Sequence, residues 1–154
     1  MGGAYPLRQC AVMDKEEQKH MDRVEEARRT LLALYGGSHS PLEESDPDFA
    51  AIKQRLVYGE LYAQEALDPV MRELILLAVA TTNQTMSEVK LHTCAALRSG
   101  ASPEAVKEAV YHCAPYIGLG KAEAAAAAVN EVLRTQGISL PLASQRTVSE
   151  EDRL

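Results

Sequence analysis

Residues 71–80 read MRELILLAVA, an apolar run with a single carboxylate near its start. At helical spacing, Glu73 shares a face with Leu76, Leu77 and Ala80. A carboxylate on such a face must be paired or hydrogen-bonded, because burying it alone costs free energy. The run therefore predicts a buried helix in which Glu73 is the first candidate for proton transfer. The alternative interpretation is a helix-packing salt bridge with Arg72 or another cation.

A second ionisable pair follows in the chain. Glu88 and His92 are four residues apart, so a helix stacks them on one side. Such a pair can hold a proton between its members, or let the carboxylate orient the imidazole tautomer. The alternative is an exposed pair worth roughly 0.3 kcal/mol. Leu91, Ala95 and Ala96 flank the pair with apolar surface and favour a sheltered site.

Length and charge exclude several classes of protein. At 154 residues the chain is long enough for one well-packed domain and short of the length that usually divides into two. Its formal net charge of −6 argues against a nucleic-acid partner, which a basic surface would bind. No apolar run approaches the ~20 residues that span a bilayer, and the first residues lack the apolar stretch of a secretory signal. We therefore expect a cytoplasmic protein without a membrane or nucleic-acid partner.

Three cysteines, Cys10, Cys94 and Cys113, lie far apart in the chain and form no Cys-x-x-Cys pair. This spacing excludes a disulfide framework and the usual zinc motifs. Each cysteine is expected to pack as a small apolar residue. Only Cys113 lies next to another candidate for chemistry, His112.

Helical periodicity predicts an all-α fold, because no segment shows the period-two alternation of a strand. Pairs such as Asp68-Pro69 and Ser102-Pro103 mark helix starts. Six helices of this apolarity leave a stripe uncovered on a lone subunit, so we expect an oligomer. The predicted helices cover about residues 15–35, 46–62, 70–82, 87–99, 103–115 (with a kink or an end at Pro115) and 121–136. The predicted organisation is a loose leader (1–13), one helical domain (14–137) and an extended tail (138–154).

Four short motifs follow one another along the chain. They are GELY at residues 59–62, REL at 72–74, Glu88-x-x-x-His92 followed by AALRSG at 95–100, and HCAPYIG at 112–118. With them, the chain from about Leu31 to Gly137 resembles the carboxymuconolactone decarboxylase family of the alkylhydroperoxidase-D-like superfamily. The resemblance implies a six-helix subunit that assembles into homotrimers or homohexamers, with sites near the subunit contacts.

The resemblance leads to two possible chemistries. Peroxidase-type members carry a Cys-x-x-Cys pair on the fourth helix, together with a glutamate and a histidine that Glu73 and His92 match. The two cysteine positions fall on Thr85 and Glu88 in this chain. Without these thiols, peroxide reduction lacks both a nucleophile and a resolving partner. An antioxidant activity of the alkylhydroperoxidase or peroxiredoxin type is therefore disfavoured.

Decarboxylase-type members lack the cysteines and carry a Glu-x-x-x-His stretch like the one in this chain. The resemblance implies a lyase that removes carbon dioxide from a γ-lactone and reprotonates the remaining carbon, without a cofactor or a metal. His92 is then the acid, Glu88 orients it, and Glu73 is a second proton-transfer or positioning carboxylate. A metal held by Glu88, His92 and His112 is a weaker alternative.

The chain departs from the family pattern where a carboxylate substrate would be held. Many decarboxylase-like members have Arg-Pro-Gly just before the third helix, and this chain has Gln-Glu-Ala at residues 64–66. The predicted substitutes for that arginine are Arg72 and Lys90, with Lys121 as a further candidate. His112 and Tyr116 either line the opposite wall of the site or pack at the proline kink.

Three hypotheses follow for the function. The first is acid–base decarboxylation or isomerisation of a small carboxylated lactone or keto acid. The second is a thiol-dependent antioxidant that uses Cys94 or Cys113. The third is a non-catalytic oligomeric binding protein in which Glu73, Glu88 and His92 only join helices.

Overall fold

The computed structural model describes residues 15–37 and 42–144, and the described residues form helices and connecting turns. They contain no strand, which confirms the predicted all-α class. The six predicted helices are confirmed, the second being partly π-helical and the fifth followed by one extra turn. The elements are α1 (Lys15–Tyr35), α2 (Pro47–Lys53) with its π-helical continuation (Gln54–Leu61), α3 (Pro69–Asn83), α4 (Met86–Arg98), α5 (Pro103–Tyr111), α6 (Ala114–Ile117) and α7 (Leu119–Thr135).

The helix starts are set by local chemistry that the sequence already contains. The Asp68 side chain accepts a hydrogen bond from the backbone N–H of Met71 at 3.0 Å, and Ser102 caps Ala105 in the same way at 3.1 Å. In both helices a proline follows the cap, where no intrahelical N–H donor is needed. At the other end of α3, Gln84 has a left-handed φ of 59° and turns the chain towards α4.

The chain divides into two compact units, and the larger comprises residues 33–37 and 65–144 of the described chain. Side chains from α3, α4, α5 and α7 share its core, which includes Leu77, Val89, Val106, Val110 and Leu133. Small residues of α7 (Ala122, Ala125 and Ala128) are buried, which lets neighbouring helices approach α7 closely. Beyond α7, Ile138 and Leu140 pack against this core and Leu142 is buried.

The smaller unit comprises residues 15–32 and 42–64 of the described chain. Its buried residues include Ala27 of α1 and Ala50 of α2. Tyr58 and Tyr62 pack edge to face, with ring centroids 5.2 Å apart. The single helical domain over residues 14–137 stays a prediction, and the predicted leader lies outside the described residues, as does the end of the tail from residue 145.

One face of α3 is apolar and uncovered in the isolated protomer. Leu67, just before α3, and Met71, Ile75 and Val79 within it recur every fourth residue and are 44–49% exposed. The opposite face of α3 is buried in the core, so this helix is apolar nearly all round, as helices enclosed by protein are. Exposed apolar stripes of this kind often mark protein–protein contacts, so we expect the subunits of the oligomer to meet here. The oligomer itself stays a prediction. Among the described helices, none is long and apolar enough to cross a membrane.

Gly59 allows α1 and the π-helical segment to touch through their backbones. A Cβ atom at Gly59 would lie 2.5 Å from the carbonyl oxygen of Arg23, closer than atoms can pack without movement. We therefore expect Gly59→Ala to lower the free energy of unfolding by about 2 kcal/mol. At Gly120 in α7 a Cβ meets open space, so Gly120→Ala is the matched control and should leave stability unchanged or raise it by up to about 1 kcal/mol. Urea denaturation measures both, and equal effects of the two substitutions would contradict this contact.

Candidate active site

The α3–α4 hairpin positions the ionisable residues that the sequence singles out. Two residues, Gln84 and Thr85, separate the helices, so α3 and α4 lie side by side in the core. The Gln84 amide donates to the carbonyl oxygen of Thr81 at 2.7 Å and to that of Lys121 at 3.2 Å. It thereby ties the hairpin turn to the first turn of α7. Sequence reasoning missed this tie, because no local pattern indicates a partner 37 residues away.

Glu73 of α3 and His92 of α4 form a buried hydrogen bond. The imidazole Nδ1 lies 2.9 Å from Glu73 Oε2, and the side chains are 11% and 1% exposed. Leu77 follows Glu73 by four residues and Ala96 follows His92 by four residues, and both are fully buried. An ionised carboxylate only accepts hydrogen bonds, so Nδ1 carries the hydrogen. The other ring nitrogen, Nε2, is left for a second partner.

The Glu88 carboxylate, one helical turn before His92, lies close to Nε2. Its Oε2 lies 3.6 Å from Nε2, and its side chain is 41% exposed. This separation is too long for a direct hydrogen bond, so Nε2 keeps its capacity to bind another atom. Glu73, His92 and Glu88 thus form a row, named here the acid–base cluster, that runs from a buried carboxylate through an imidazole to a half-exposed carboxylate.

The geometry reassigns the two carboxylates relative to the sequence prediction. Glu88 was expected to orient His92, but the group that accepts the short, buried hydrogen bond of the imidazole is the Glu73 carboxylate. The expected alternative was a salt bridge of Glu73 with Arg72 or another cation, and the Arg72 guanidinium donates to the carbonyl oxygen of Leu67 at 3.3 Å. Glu73 therefore holds the ring from its buried side, and Glu88 lies at its half-exposed side.

The other predicted site residues lie on the surface of the protomer. Lys90 forms an ion pair with Glu131 of α7 at 2.7 Å. His112 is exposed after α5, and Tyr116 of α6 is 89% exposed. Among the described residues, no hydrogen bond or ion pair joins Lys90, His112 or Tyr116 to the acid–base cluster. Their predicted role in substrate binding stays a prediction, and His112 does not join Glu88 and His92 in a metal-ligand group within this part of the chain.

The two described cysteines lie within α4 (Cys94) and just before α6 (Cys113). Burial raises the pKa of the Cys94 thiol above its ordinary value, and the nearby positive charge of Arg98 only partly opposes this shift. The Cys113 sulfur lies 3.3 Å from the carbonyl oxygen of Ala109 and 3.9 Å from that of Ala78, as for a thiol packed against a helix. Cys10 lies outside the described residues.

The chain is similar to proteins of one family. The family model of the carboxymuconolactone decarboxylase family matches residues 47–131, a range that contains α2 to α6 and the acid–base cluster. A 4-carboxymuconolactone decarboxylase of Acinetobacter baylyi is similar to this chain. It is 29% identical over 98 residues, which cover 64% of this chain and 73% of that protein.

The Glu73–His92 hydrogen bond predicts a single tautomer for neutral His92. We expect more than about 90% of it to carry the hydrogen on Nδ1, because a charged acceptor adds roughly 1.5 kcal/mol or more to that form. Long-range nitrogen–carbon NMR correlations of the ring measure the tautomer. Glu88→Gln should leave it unchanged, whereas Glu73→Gln should mix the two forms. A neutral His92 protonated on Nε2 in the unsubstituted protein would contradict the assignment.

The raised pKa of Cys94 predicts slow thiol chemistry. Because the thiolate is the reactive form, its fraction at pH 7 falls below that of a free cysteine and grows only at more alkaline pH. In a Cys10→Ser, Cys113→Ser background, we expect iodoacetamide to label Cys94 at least about tenfold more slowly in the folded protein than in urea. Rapid oxidation of folded Cys94 by hydrogen peroxide would instead support the thiol-dependent hypothesis.

Proposed function

Because the chain belongs to the carboxymuconolactone decarboxylase family, we propose that it is a carboxy-lyase or isomerase that works by acid–base chemistry without a cofactor. The proposed substrate is a small carboxylated lactone or keto acid. The observation that carries the proposal is the buried Glu73–His92 hydrogen bond at 2.9 Å, which leaves Nε2 of the imidazole available beside Glu88. The name of the similar Acinetobacter baylyi protein supports the substrate class.

In the proposed decarboxylation, the bond between the carboxylate carbon and its neighbouring carbon breaks, and carbon dioxide leaves. The electron pair of that bond passes to the neighbouring carbon and into the conjugated carbonyl, which becomes an enolate. His92, protonated on both nitrogens, then gives its Nε2 proton to the carbon, so one proton is consumed for each carbon dioxide released. An isomerisation would use the same group to move a proton from one carbon to another.

Each carboxylate has a separate task in this proposal. Glu73 holds Nδ1 and stabilises the imidazolium form of His92, because a buried negative charge next to a positive ring is only weakly screened. Glu88 is 41% exposed, so it can take a proton from water and return it to Nε2 after each turnover. The buried carboxylate is thus a positioning group, and the half-exposed one is a proton relay.

Substrate binding is the less defined part of the proposal. Arg72, Lys90, His112 and Tyr116 remain the candidates to hold the substrate. Lys90 would have to exchange Glu131 for the substrate carboxylate, and their 2.7 Å pair is exposed enough for such an exchange to cost little. A homotrimer or homohexamer formed through the uncovered stripe of α3 would change the surroundings of these surface residues.

The two other hypotheses have less support. A thiol peroxidase would need an activated cysteine, and burial holds the pKa of the Cys94 thiol above its ordinary value. A non-catalytic binding protein would use the acid–base cluster only to join α3 to α4. A buried ion pair is weak evidence for such a structural role, because apolar residues of similar volume often stabilise a fold as well or better.

Carbon dioxide release from a panel of γ-lactone carboxylates and β-keto acids tests the proposal. On any substrate that turns over, His92→Ala should lower kcat by about 10²–10⁴-fold, the usual contribution of a general acid. Glu88→Gln should lower kcat less and make it sensitive to added buffer acids, which replace the lost relay. Glu123→Gln, an exposed carboxylate of α7, is the matched control and should leave kcat unchanged.

The same panel can refute the proposal. Circular dichroism and thermal melting of each variant establish that it is folded before its rate is compared. A folded His92→Ala variant that keeps the full rate would remove His92 from the chemistry. If the folded, unsubstituted protein releases no carbon dioxide and isomerises no substrate of the panel, the non-catalytic hypothesis takes precedence.

A further inference from the structure

A second candidate binding site lies in the smaller unit, in a cavity of about 500 Å³ between α1 and α2 with its π-helical continuation. This volume is within the range of roughly 300–1,000 Å³ in which proteins bind small molecules. The cavity shares no lining residue with the acid–base cluster. The chemistry proposed for that cluster does not use it.

Four of the nine described residues that line the cavity are apolar. Val24 and Ala27 line it from α1, and Ala51 and Ile52 line it from α2. Ala27 is only 3% exposed, whereas Ile52 is 52% exposed. A ligand with an apolar body would cover Ile52 and remove that surface from water, which is favourable by roughly 25 cal/mol per Å².

Two guanidinium groups, Arg28 and Arg55, give the cavity its charge. Arg55 forms no ion pair within the described residues, and Arg28 reaches only Glu25 at 3.8 Å in a highly exposed contact that binds it weakly. Asp48 is the one carboxylate on the cavity wall. The two arginines and Asp48 together give the cavity a net charge of about +1, with His20, which also lines it, counted as neutral.

Contacts next to the cavity join the helices that form it. The backbone contact at Gly59 and the ion pair of Arg23 with Glu60, at 3.4 Å, join α1 to the π-helical segment. The Gln54 amide, which lines the cavity, donates to Glu43 at 2.6 Å. The π-helical segment itself begins at this wall, and π-helical turns are rare and occur frequently at functional sites.

We propose that this cavity binds a small organic anion with a single negative charge and an apolar body, such as an aromatic monocarboxylate. The planar guanidinium groups of Arg28 and Arg55 match the two oxygens of a carboxylate. The net charge favours one negative charge over two. An inorganic anion would leave the exposed apolar surface of Ile52 in water, so a ligand with an apolar body is the better fit.

Binding of 2-naphthoate tests the site, with 2-naphthamide as a probe of similar shape and no charge. Isothermal titration should give one naphthoate per chain and at least about tenfold weaker binding of the amide, because the amide lacks the charge-assisted hydrogen bonds. Arg28→Gln and Arg55→Gln should each weaken naphthoate binding by about tenfold for the same reason. Ala51→Leu, which fills the cavity, should weaken it as well.

Arg29→Gln is the matched control, because Arg29 follows Arg28 in α1, does not line the cavity and bonds to Glu26 at 2.9 Å. It should leave naphthoate binding unchanged. All variants are measured in the oligomeric state in which the protein purifies. Equal binding of acid and amide, full binding by both cavity-arginine variants, or no binding at millimolar naphthoate would each overturn the proposal. The last result would mean that another copy of the chain covers the cavity or that the cavity has no ligand.

Discussion

The larger unit depends on one constraint, which is that the carboxylate of Glu73 is buried among apolar side chains and has His92 as its partner. Removing water from an ion pair costs about as much free energy as the attraction returns, so such a pair rarely exists for stability alone. Loss of one partner, however, leaves a buried charge without compensation. The α3–α4 hairpin must therefore hold the two side chains in register to within the length of a hydrogen bond. The Asp68 cap and the Gln84 turn fix the two ends of α3 and so contribute to that register.

The register makes the two nitrogens of one ring chemically different. Nδ1 faces a carboxylate that is 1% exposed, and Nε2 faces one that is 41% exposed. The acceptor of the inner nitrogen is enclosed by protein, whereas the carboxylate beside the outer nitrogen is accessible to water. In the proposed function, an imidazole held in this way would donate its proton from Nε2.

Local patterns in the sequence predicted the helices and selected the residues of the acid–base cluster, because helix periodicity and capping depend only on near neighbours. Glu73 could be identified from its apolar face, and Glu88 with His92 from their spacing. The assignment of each carboxylate to its nitrogen could not be predicted, because it depends on how α3 crosses α4. The same limit applies to Lys90, whose partner Glu131 lies 41 positions further along the chain, and to the π-helical segment, for which the sequence shows no distinct period.

The charge of the acid–base cluster bears on which reaction suits it. With both carboxylates ionised and His92 protonated, the cluster still carries a net charge of −1. A substrate carboxylate brought next to Glu88 would be repelled, and its departure as neutral carbon dioxide would remove that repulsion. In the proposed decarboxylation, the cluster would therefore oppose the charged ground state more than the transition state, in which the negative charge has begun to move into the enolate. Proton donation from Nε2 then neutralises the charge that remains. A decarboxylation uses both properties of the cluster, whereas an isomerisation of a neutral lactone would use only the second.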